Sequence, residues 1–277
     1  MRDYLVFQLY GPLASWGDIA VGETRPSALT PTKSAVLGLV AAALRLRRPD
    51  TIHYESDAQR TAHERAECEA SQAKLAEGYG IAIKVETLGL PLSDYHTAQV
   101  PSSGTGRNRR MFSTRRDEIT SGHKSDLNTI LSRREYRQDT YCVVALWARP
   151  GAPYTLGELR RALLEPGFTL YLGRKACPLA LPLQPEVVSA ERVEDALAGL
   201  RLSAVFEKLA EVGDGTESKL IRHFEPAEPF LLWDSDAETK LVPEQTTTRR
   251  DSPLSRRRWQ FKVRNEHRAH ALKGGQS

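Results

Sequence analysis

A short segment near the N-terminus predicts a helix with almost no polar face. From Ala35 to Leu46 the chain consists of alanine, leucine, valine and glycine, apart from Arg45. Such a helix needs cover on nearly every side, as when a sheet and loops enclose it. Its apolar run, Ala35–Leu44, is ten residues long, about half of what a membrane-spanning helix requires. The chain must therefore supply a core from its other elements.

The start of this helix offers either a cap or an anion site. It contains hydroxyl residues, a proline and a lysine, in the order Thr30, Pro31, Thr32, Lys33 and Ser34. Threonine before a proline at the first helical position is a typical N-terminus, so Thr30 is the expected N-cap. Unpaired N–H groups and the positive dipole end also suit a phosphate. Arg25 is expected to face the same region.

The remaining patterns predict strands and helices in an α+β order. Alternating or continuously apolar strands are predicted at Asp3–Tyr10, Ile81–Val85, Tyr141–Trp147, Phe168–Leu172, Phe230–Trp233 and Trp259–Val263. Helices are predicted at 56–77 and Leu156–Leu164, and between about 90 and 140 the pattern breaks down into a projection. This order indicates an α+β sandwich with a ferredoxin-like plan.

Cysteine usage and the N-terminus indicate a soluble cytoplasmic protein with no membrane contact. The 277 residues contain three widely separated cysteines, Cys68, Cys142 and Cys177, which favour neither a disulfide framework nor a zinc site. A signal peptide begins with a positively charged region, and the acidic Asp3 lies at that position, so no signal peptide is predicted. No metal or other cofactor is predicted.

The net charge of +4 conceals strongly opposed blocks. Residues 101–140 carry nine basic and five acidic groups, and the last 29 residues carry nine and two. Residues 50–77 and 184–240 are acidic. Blocks of this kind indicate either a polyanion surface beside basic protein neighbours or simply solvated faces.

The projection combines arginines with aromatic residues. Its arginines are Arg107, Arg109, Arg110, Arg115, Arg116, Arg133, Arg134 and Arg137, and its aromatics include Tyr95, Phe112 and Tyr136. Arginine binds phosphate in a forked geometry and aromatic rings stack on bases. We expect this segment to contact nucleic acid, with a solvated loop as the alternative, and Trp16 is a further stacking candidate.

A second basic site is predicted at a turn. Gly173, Arg174 and Lys175 follow a predicted strand, and Tyr171 lies two residues earlier. Glycine allows a close approach of the backbone, and the two cations suit a sugar–phosphate chain.

The sequence offers little for catalysis. The nucleophile-elbow, zinc-protease and phosphate-loop motifs are all missing. His267 and His270 are more typical of a tail than of a metal site. Tyr95 and His96 with Lys124 form the alternative, a metal-independent ribonuclease in which the histidine acts as general acid or base.

Several segments together resemble a known family. They are YLVFQLYGPLASWGD at the start, ETRPSALTPTKSAVLGLVAAAL, DYHT at 94–97, REY followed by VALW, and YLGRKACPLALPL at 171–183. In order and spacing this set is similar to the CasD family, the RAMP subunit that binds the 5′ handle of crRNA in the type I-E CRISPR complex Cascade. The resemblance covers most of residues 1–183.

The resemblance carries its own expectations. It implies a ferredoxin-like (RAMP/RRM-like) domain over 1–183 with a β-hairpin thumb at about 90–140. A smaller, mostly β subdomain with a basic tail would span 184–277. The expected partners are the crRNA 5′ handle, the backbone subunit CasC and the large subunit CasA, with target DNA reached through the complex. The type I-E subunit is not a nuclease, whereas its subtype I-C relative cuts RNA, which keeps the enzymatic alternative open.

Overall fold

The computed structural model describes residues 1–49, 58–101, 112–120, 122, 127–199 and 229–270. The strands in these ranges are β1 (Arg2–Ala14), β2 (Trp16–Gly17), β3 (Thr24–Arg25), β4 (Ser27–Ala28), β5 (Tyr79–Thr87), β6 (Leu90–Pro101), β7 (Leu127–Ala148), β8 (Glu186–Ala190), β9 (Phe230–Asp234), β10 (Gln245–Ser255) and β11 (Gln260–His270). The helices are α1 (Lys33–Ala43), α2 (Ala58–Gly78), α3 (Arg115–Thr120), α4 (Leu156–Leu164) and α5 (Val193–Leu197).

One large sheet organises the described residues. Seven strands follow the order β10-β11-β9-β5-β7-β1-β8, and β3 and β6 join the sheet off this path by pairing with β7. Every pairing in the sheet is antiparallel except the one between β3 and β7. The α+β class is therefore confirmed, with a mostly antiparallel sheet.

Both faces of the sheet are buried at its centre. Successive residues of β1 point to opposite sides, and the residues on both sides are buried. Leu5 and Phe7 lie in a core formed with α1 and α4. Tyr4 and Val6 lie in a second core, on the side that α5 covers. The apolar helix is thus enclosed as expected, with Val40 fully buried.

Strand β7 is much longer than the predicted buried segment. Its second half, including Tyr141–Trp147, is the buried centre of the sheet, as predicted. Its first half continues outward and pairs with β6 from Leu90↔Gln138 to Pro101↔Leu127. In the described residues the projection is therefore an antiparallel ribbon rather than unpatterned chain.

Two local predictions are wrong. The N-cap of α1 is Thr32 rather than Thr30, since the Thr32 side chain accepts a hydrogen bond from the Ala35 N–H at 3.2 Å. Residues 168–172 form no strand; Tyr171 makes only an isolated bridge with Pro178, because the chain turns back at Gly173. The capping box of α4, Thr155 with Glu158, fits the prediction of a helix there.

The sheet also runs across the predicted boundary at residues 183 and 184. β8 pairs with β1 on one side of the sheet, and β9 pairs with β5 on the other. The described part of 184–277 is mostly β, yet it extends the same sheet rather than forming one of its own. Among the described residues, no helix is both long enough and apolar enough to span a bilayer.

Candidate nucleic-acid interface

Basic side chains from separate segments meet where β3 pairs with β7. Thr24 lies opposite Arg133 and Arg25 opposite Arg134 in the parallel pairing. Strand β6 flanks the other edge of β7, with Tyr95 opposite Arg133. We call the set Arg25, Arg133, Arg134, Arg174 and Lys175 the basic junction.

The strand register distributes the junction over two faces. Neighbours in register share a face and successive residues alternate, so Arg25 and Arg134 lie on one face and Arg133 lies with Tyr95 on the other. All three arginines are exposed. The Arg25 guanidinium also donates to the carbonyl oxygens of Gly22 at 2.6 Å and Thr24 at 3.0 Å.

Arg174 joins the turn after residue 172 to these strands. Its guanidinium donates to the carbonyl oxygens of Glu135 at 3.1 Å and Arg25 at 3.0 Å. It also lies over the Tyr136 ring, 4.7 Å from the ring centroid. Arg174 is therefore a structural clamp that positions Arg25 and β7, and it is half-buried rather than fully presented to solvent.

Gly173 forms the predicted tight turn, and the backbone that it approaches closely is that of Ser15. Its φ is +87°, and an added Cβ would lie 1.8 Å from the Ser15 carbonyl oxygen. The Ser15 N–H donates to the Leu172 carbonyl at 3.0 Å, which holds the two segments together. The turn leaves Lys175 exposed and Tyr171 half-buried.

Tyr95 and His96 are both exposed on β6 but do not converge. Tyr95 is 60% exposed, and as adjacent strand residues the two side chains point to opposite faces. His96 Nδ1 lies 3.7 Å from the Asp94 carboxylate. Lys124, the third member of the proposed ribonuclease set, lies outside the described residues.

Two predicted stacking residues are not available as stacking surfaces. Trp16 is 2% exposed and belongs to the core beside α1. Tyr136 is also buried, with Arg174 over its ring. This corrects their prediction as base-stacking residues, because the ring faces are already covered by the protein.

Apart from Arg133 and Arg134 of the basic junction, the arginines of the projection divide into three groups. Arg107, Arg109 and Arg110 lie outside the described residues. Arg115 and Arg116 are exposed on α3. Arg137 is buried, and it donates to the carbonyl oxygens of Leu88 at 3.0 Å and Gly89 at 2.7 Å.

The start of α1 is not an open phosphate site. Lys33 is 2% exposed, and its Nζ lies 2.7 Å from Asp234 Oδ2. The Lys33 N–H donates to Asp251 Oδ2 at 2.8 Å, so a carboxylate of the chain occupies the place where an anion would bind. Thr32 is buried and caps the helix, and its hydroxyl lies 3.1 Å from the hydroxyl of Ser34. The prediction that Thr32, Lys33 and Ser34 bind phosphate is corrected accordingly.

These residues belong to an ionic cluster that is buried at Lys33, Asp234, Asp251 and Glu266 and reaches solvent at Asp236. Its members are Lys33, Arg149, Asp234, Asp236, Arg249, Asp251, Arg264 and Glu266. Arg264 is central, with atoms 2.9 Å from Asp234 Oδ1, 2.7 Å from Asp251 Oδ1 and 2.6 Å from Glu266 Oε2. Four cations balance four anions, so the cluster carries no net charge.

Burial and pairing shift the pKa values of this cluster. Burial lowers the pKa of the Lys33 ammonium, against the opposing effect of Asp234. For Asp251, burial opposes ionisation, but hydrogen bonds and charge from Arg264 outweigh it and hold the pKa below its usual value. Burial also opposes ionisation of Asp236. Hydrogen bonds donated by Arg149 and Trp147, together with the charge of Arg149, outweigh this effect and lower the pKa of Asp236 to about 2.

The two histidines of the H-x-x-H pattern lie on β11 and have local partners. His267 ring nitrogens lie 3.0 Å from the Ser235 hydroxyl and 2.8 Å from the Thr246 hydroxyl. His270 Nδ1 lies 2.7 Å from Glu244. These three contacts connect β11 to neighbouring segments of the C-terminal region.

Comparison with known proteins identifies the family. A family model described as CRISPR-associated protein (Cas_Cas5) matches residues 4–266. The chain belongs to this family. The CRISPR system Cascade subunit CasD of Escherichia coli (strain K12) is 35% identical over 191 residues, which cover 66% of this chain and 70% of the relative. The resemblance to CasD is thereby confirmed.

Solved structures agree with the family fold. A chain of a CRISPR RNA-guided surveillance complex matches with a TM-score of 0.57 and 18% identity, covering 97% of this chain and 90% of that one. A second match, to a structure described as Crystal structure of Cas protein, has a TM-score of 0.51 and 21% identity and covers 97% and 94%. At these identities the likeness concerns the fold alone.

Sequence reasoning missed a residue that holds the candidate interface together, Glu135. Glu135 accepts from Ser15 Oγ at its carbonyl, and its carboxylate accepts from the Ser27 N–H at 3.3 Å. These contacts bind the loop after β1 to β7. Their partners lie more than a hundred residues apart in the sequence, so no local pattern pointed to them.

Proposed function

We propose that this chain is a non-catalytic subunit of a type I-E CRISPR Cascade complex that binds the 5′ handle of crRNA through the basic junction. Membership of the family and the 35% identity to a Cascade subunit support the assembly role. The observation that carries the RNA site is the grouping of exposed cations where β3 pairs with β7, with Arg25 and Arg134 on one face and Arg133 on the other. Lys175 is exposed directly after Arg174, whose guanidinium donates to the Arg25 carbonyl oxygen.

The chemistry of the junction suits a single RNA strand. Guanidinium groups bind phosphate oxygens with two donors, and lysine adds a point charge. Tyr95, exposed opposite Arg133, offers a ring on which a splayed base can stack. Arg133 and Tyr95 combine a phosphate contact with a stacking plane on one face, as single-strand sites do, and Arg25 and Arg134 add phosphate contacts on the other face.

We also propose the finer architecture. The strand order β8-β1-β7-β5, with α1 after β1 and α4 after β7, supports a ferredoxin-like plan. The β6–β7 ribbon is the proposed thumb. The division between 1–183 and 184–277 stays a prediction, which limited proteolysis tests.

The proposed partners follow from the assembly. They are CasC, CasA and, through the complex, target DNA, in the cytoplasm. The acidic blocks 50–77 and 184–240 are the proposed surfaces for basic neighbours.

The test removes junction charges and measures handle RNA binding. Arg134→Gln and Lys175→Met, singly and together, should weaken binding of a labelled 5′-handle RNA. The log–log salt slope should fall by about 0.7 for each phosphate of a single strand that the protein no longer neutralises. Arg161→Gln is the matched control, since Arg161 is also exposed but lies on α4. Unchanged affinity and slope in the double variant would show that the junction is not the RNA site.

A further inference from the structure

The tip of the β10–β11 hairpin, residues 255–261, presents a tryptophan to solvent. The chain has four tryptophans, all of them in the described residues. Trp16, Trp147 and Trp233 are at most 3% exposed, whereas Trp259 is 58% exposed. Trp259 also has a φ of +54°, a conformation that costs a bulky residue free energy. The fold thus exposes this indole at a cost in both backbone and solvation energy.

Arginines surround the exposed indole. The guanidinium carbons of Arg48 and Arg256 lie 5.8 Å and 5.9 Å from the Trp259 ring centroid. Arg257 and Arg258 are exposed in the same turn. Arg48 comes from the segment after α1, so the tip combines basic groups from two distant parts of the chain.

The hairpin tip is anchored rather than free-standing. Arg256 donates to the Ser34 carbonyl oxygen at 3.0 Å, and the Arg257 N–H donates to Glu69 at 3.0 Å. The Trp259 and Phe261 rings meet edge to face at a centroid distance of 5.8 Å. A ring held in this way loses little conformational entropy when another ring stacks on it.

We propose that the hairpin tip, with Arg48, is a second binding site for single-stranded nucleic acid, separate from the basic junction. A base stacks on Trp259, and Arg257 and Arg258 contact the flanking phosphates. Every base has a face that can stack, so binding is independent of sequence. None of the five junction residues belongs to this site, and the proposal goes beyond handle binding.

Charge favours a polyanion over an apolar protein surface. Leu254 and Val263 add exposed apolar area beside the tip, but Arg48 and Arg256 lie beside the indole, and the exposed Arg257 and Arg258 precede it in the same turn. Arginine next to an aromatic ring is the combination that binds both phosphates and bases. A docked protein partner is the competing occupant, and it predicts no response to oligonucleotides.

Intrinsic fluorescence reports on this site selectively, because the other three tryptophans are buried. The full-length protein is titrated with mixed-sequence DNA and RNA 12-mers that lack any repeat-derived sequence. Each single strand should quench the fluorescence in a salt-dependent manner, and the same sequence as a duplex should quench less. Stronger quenching by RNA or by DNA identifies the preferred strand.

Variants separate this site from the junction. In the Arg134→Gln/Lys175→Met background, which removes junction cations, Trp259→Ala should weaken 12-mer binding, followed by anisotropy, about fivefold or more, and Trp259→Phe should retain most of it. Arg257→Gln with Arg258→Gln should weaken binding and reduce its salt dependence. Arg134→Gln with Lys175→Met should leave the quenching intact, so a failed junction proposal does not affect the result. If the single strands leave the fluorescence unchanged, or if Trp259→Ala does not weaken binding in the Arg134→Gln/Lys175→Met background, the proposal is wrong.

Discussion

Two lysines with the same charge have opposite environments in this protein. Lys33 is buried against Asp234, whereas Lys175 is exposed beyond a turn. A buried ammonium must be paired to remain charged, and an exposed one is free to meet a ligand. Their substitutions therefore separate a structural role from a binding role.

Lys33→Met should lower the free energy of unfolding by about 3 kcal/mol, since removing one partner leaves buried carboxylate charge less compensated. Arg149 and Arg264 still contact Asp234 and limit the destabilisation. Lys175→Met should leave stability unchanged. Urea unfolding and handle RNA titrations of both variants check this. A Lys33→Met protein of normal stability but reduced salt slope would restore Lys33 as a phosphate ligand.

Because of the lowered pKa of Asp236, we expect the free energy of unfolding to depend on pH at acidic pH. Its pKa in the folded protein is about 2, below the usual value of about 4 in an unfolded chain. The unfolded state therefore binds more protons between these values, and stability falls as pH decreases from about 4 to 2. Asp236→Asn should show a smaller decrease over this window in denaturant unfolding measured at each pH. An identical pH profile would contradict the assignment to Asp236.

At the scale of elements, the turn that ends at Lys175 depends on one glycine. Gly173 and Gly151 both have positive φ, +87° and +82°. A Cβ on Gly173 would collide with Ser15, whereas a Cβ on Gly151 would meet nothing within 4 Å. Substituting each glycine by alanine therefore separates two contributions to the loss of stability: the positive φ, which both positions share, and the clash with Ser15, which only position 173 has.

Gly173→Ala should lower the free energy of unfolding by more than Gly151→Ala, with a difference of about 1 kcal/mol or more. It should also weaken handle RNA binding, because displacing the turn moves Arg174 away from Arg25 and β7. Thermal unfolding and RNA titration of both variants measure these effects. Equal destabilisation of the two variants would mean that the close approach to Ser15 adds nothing to the cost of a Cβ at position 173.

At the scale of the whole molecule, the ionic cluster connects the N-terminus of α1 with the C-terminal strands. Lys33 and Asp234 are separated by 201 positions, and Lys33 and Asp251 by 218. Together with the pairing of β9 to β5, these contacts make the C-terminal strands part of the framework that holds α1. The helix therefore depends on residues far beyond its own segment.

The whole protein is expected to bind repeat RNA without cutting it. Tyr95 and His96 point to opposite faces of β6, so they cannot act together on one phosphodiester. Incubation of labelled repeat RNA in EDTA should leave it intact, with the parent protein and with His96→Ala alike. A defined cut at the handle boundary that His96→Ala abolishes would support the endoribonuclease instead.

The sequence alone determined the elements whose signals are local. The strand at Tyr141–Trp147, the apolar helix and the helix at Leu156–Leu164 follow from periodicity, capping and burial, which depend on neighbouring residues. The Gly173 turn and the exposed arginines of β7 were also predicted from their composition.

Only the tertiary structure decided which charged and aromatic residues are available to a ligand. Lys33 and Lys175 were both predicted to contact RNA, as were Tyr136 and Tyr95, because side chains of the same type have the same chemistry. The fold, however, buries Lys33 against Asp234 and Tyr136 against Arg174. Whether a cation is free or paired depends on a partner that folding brings from elsewhere in the chain, in the case of Lys33 from 201 positions away. Such burial arises from contacts between strands that are distant in the sequence, so the residues next to Lys33 in the chain do not predict it.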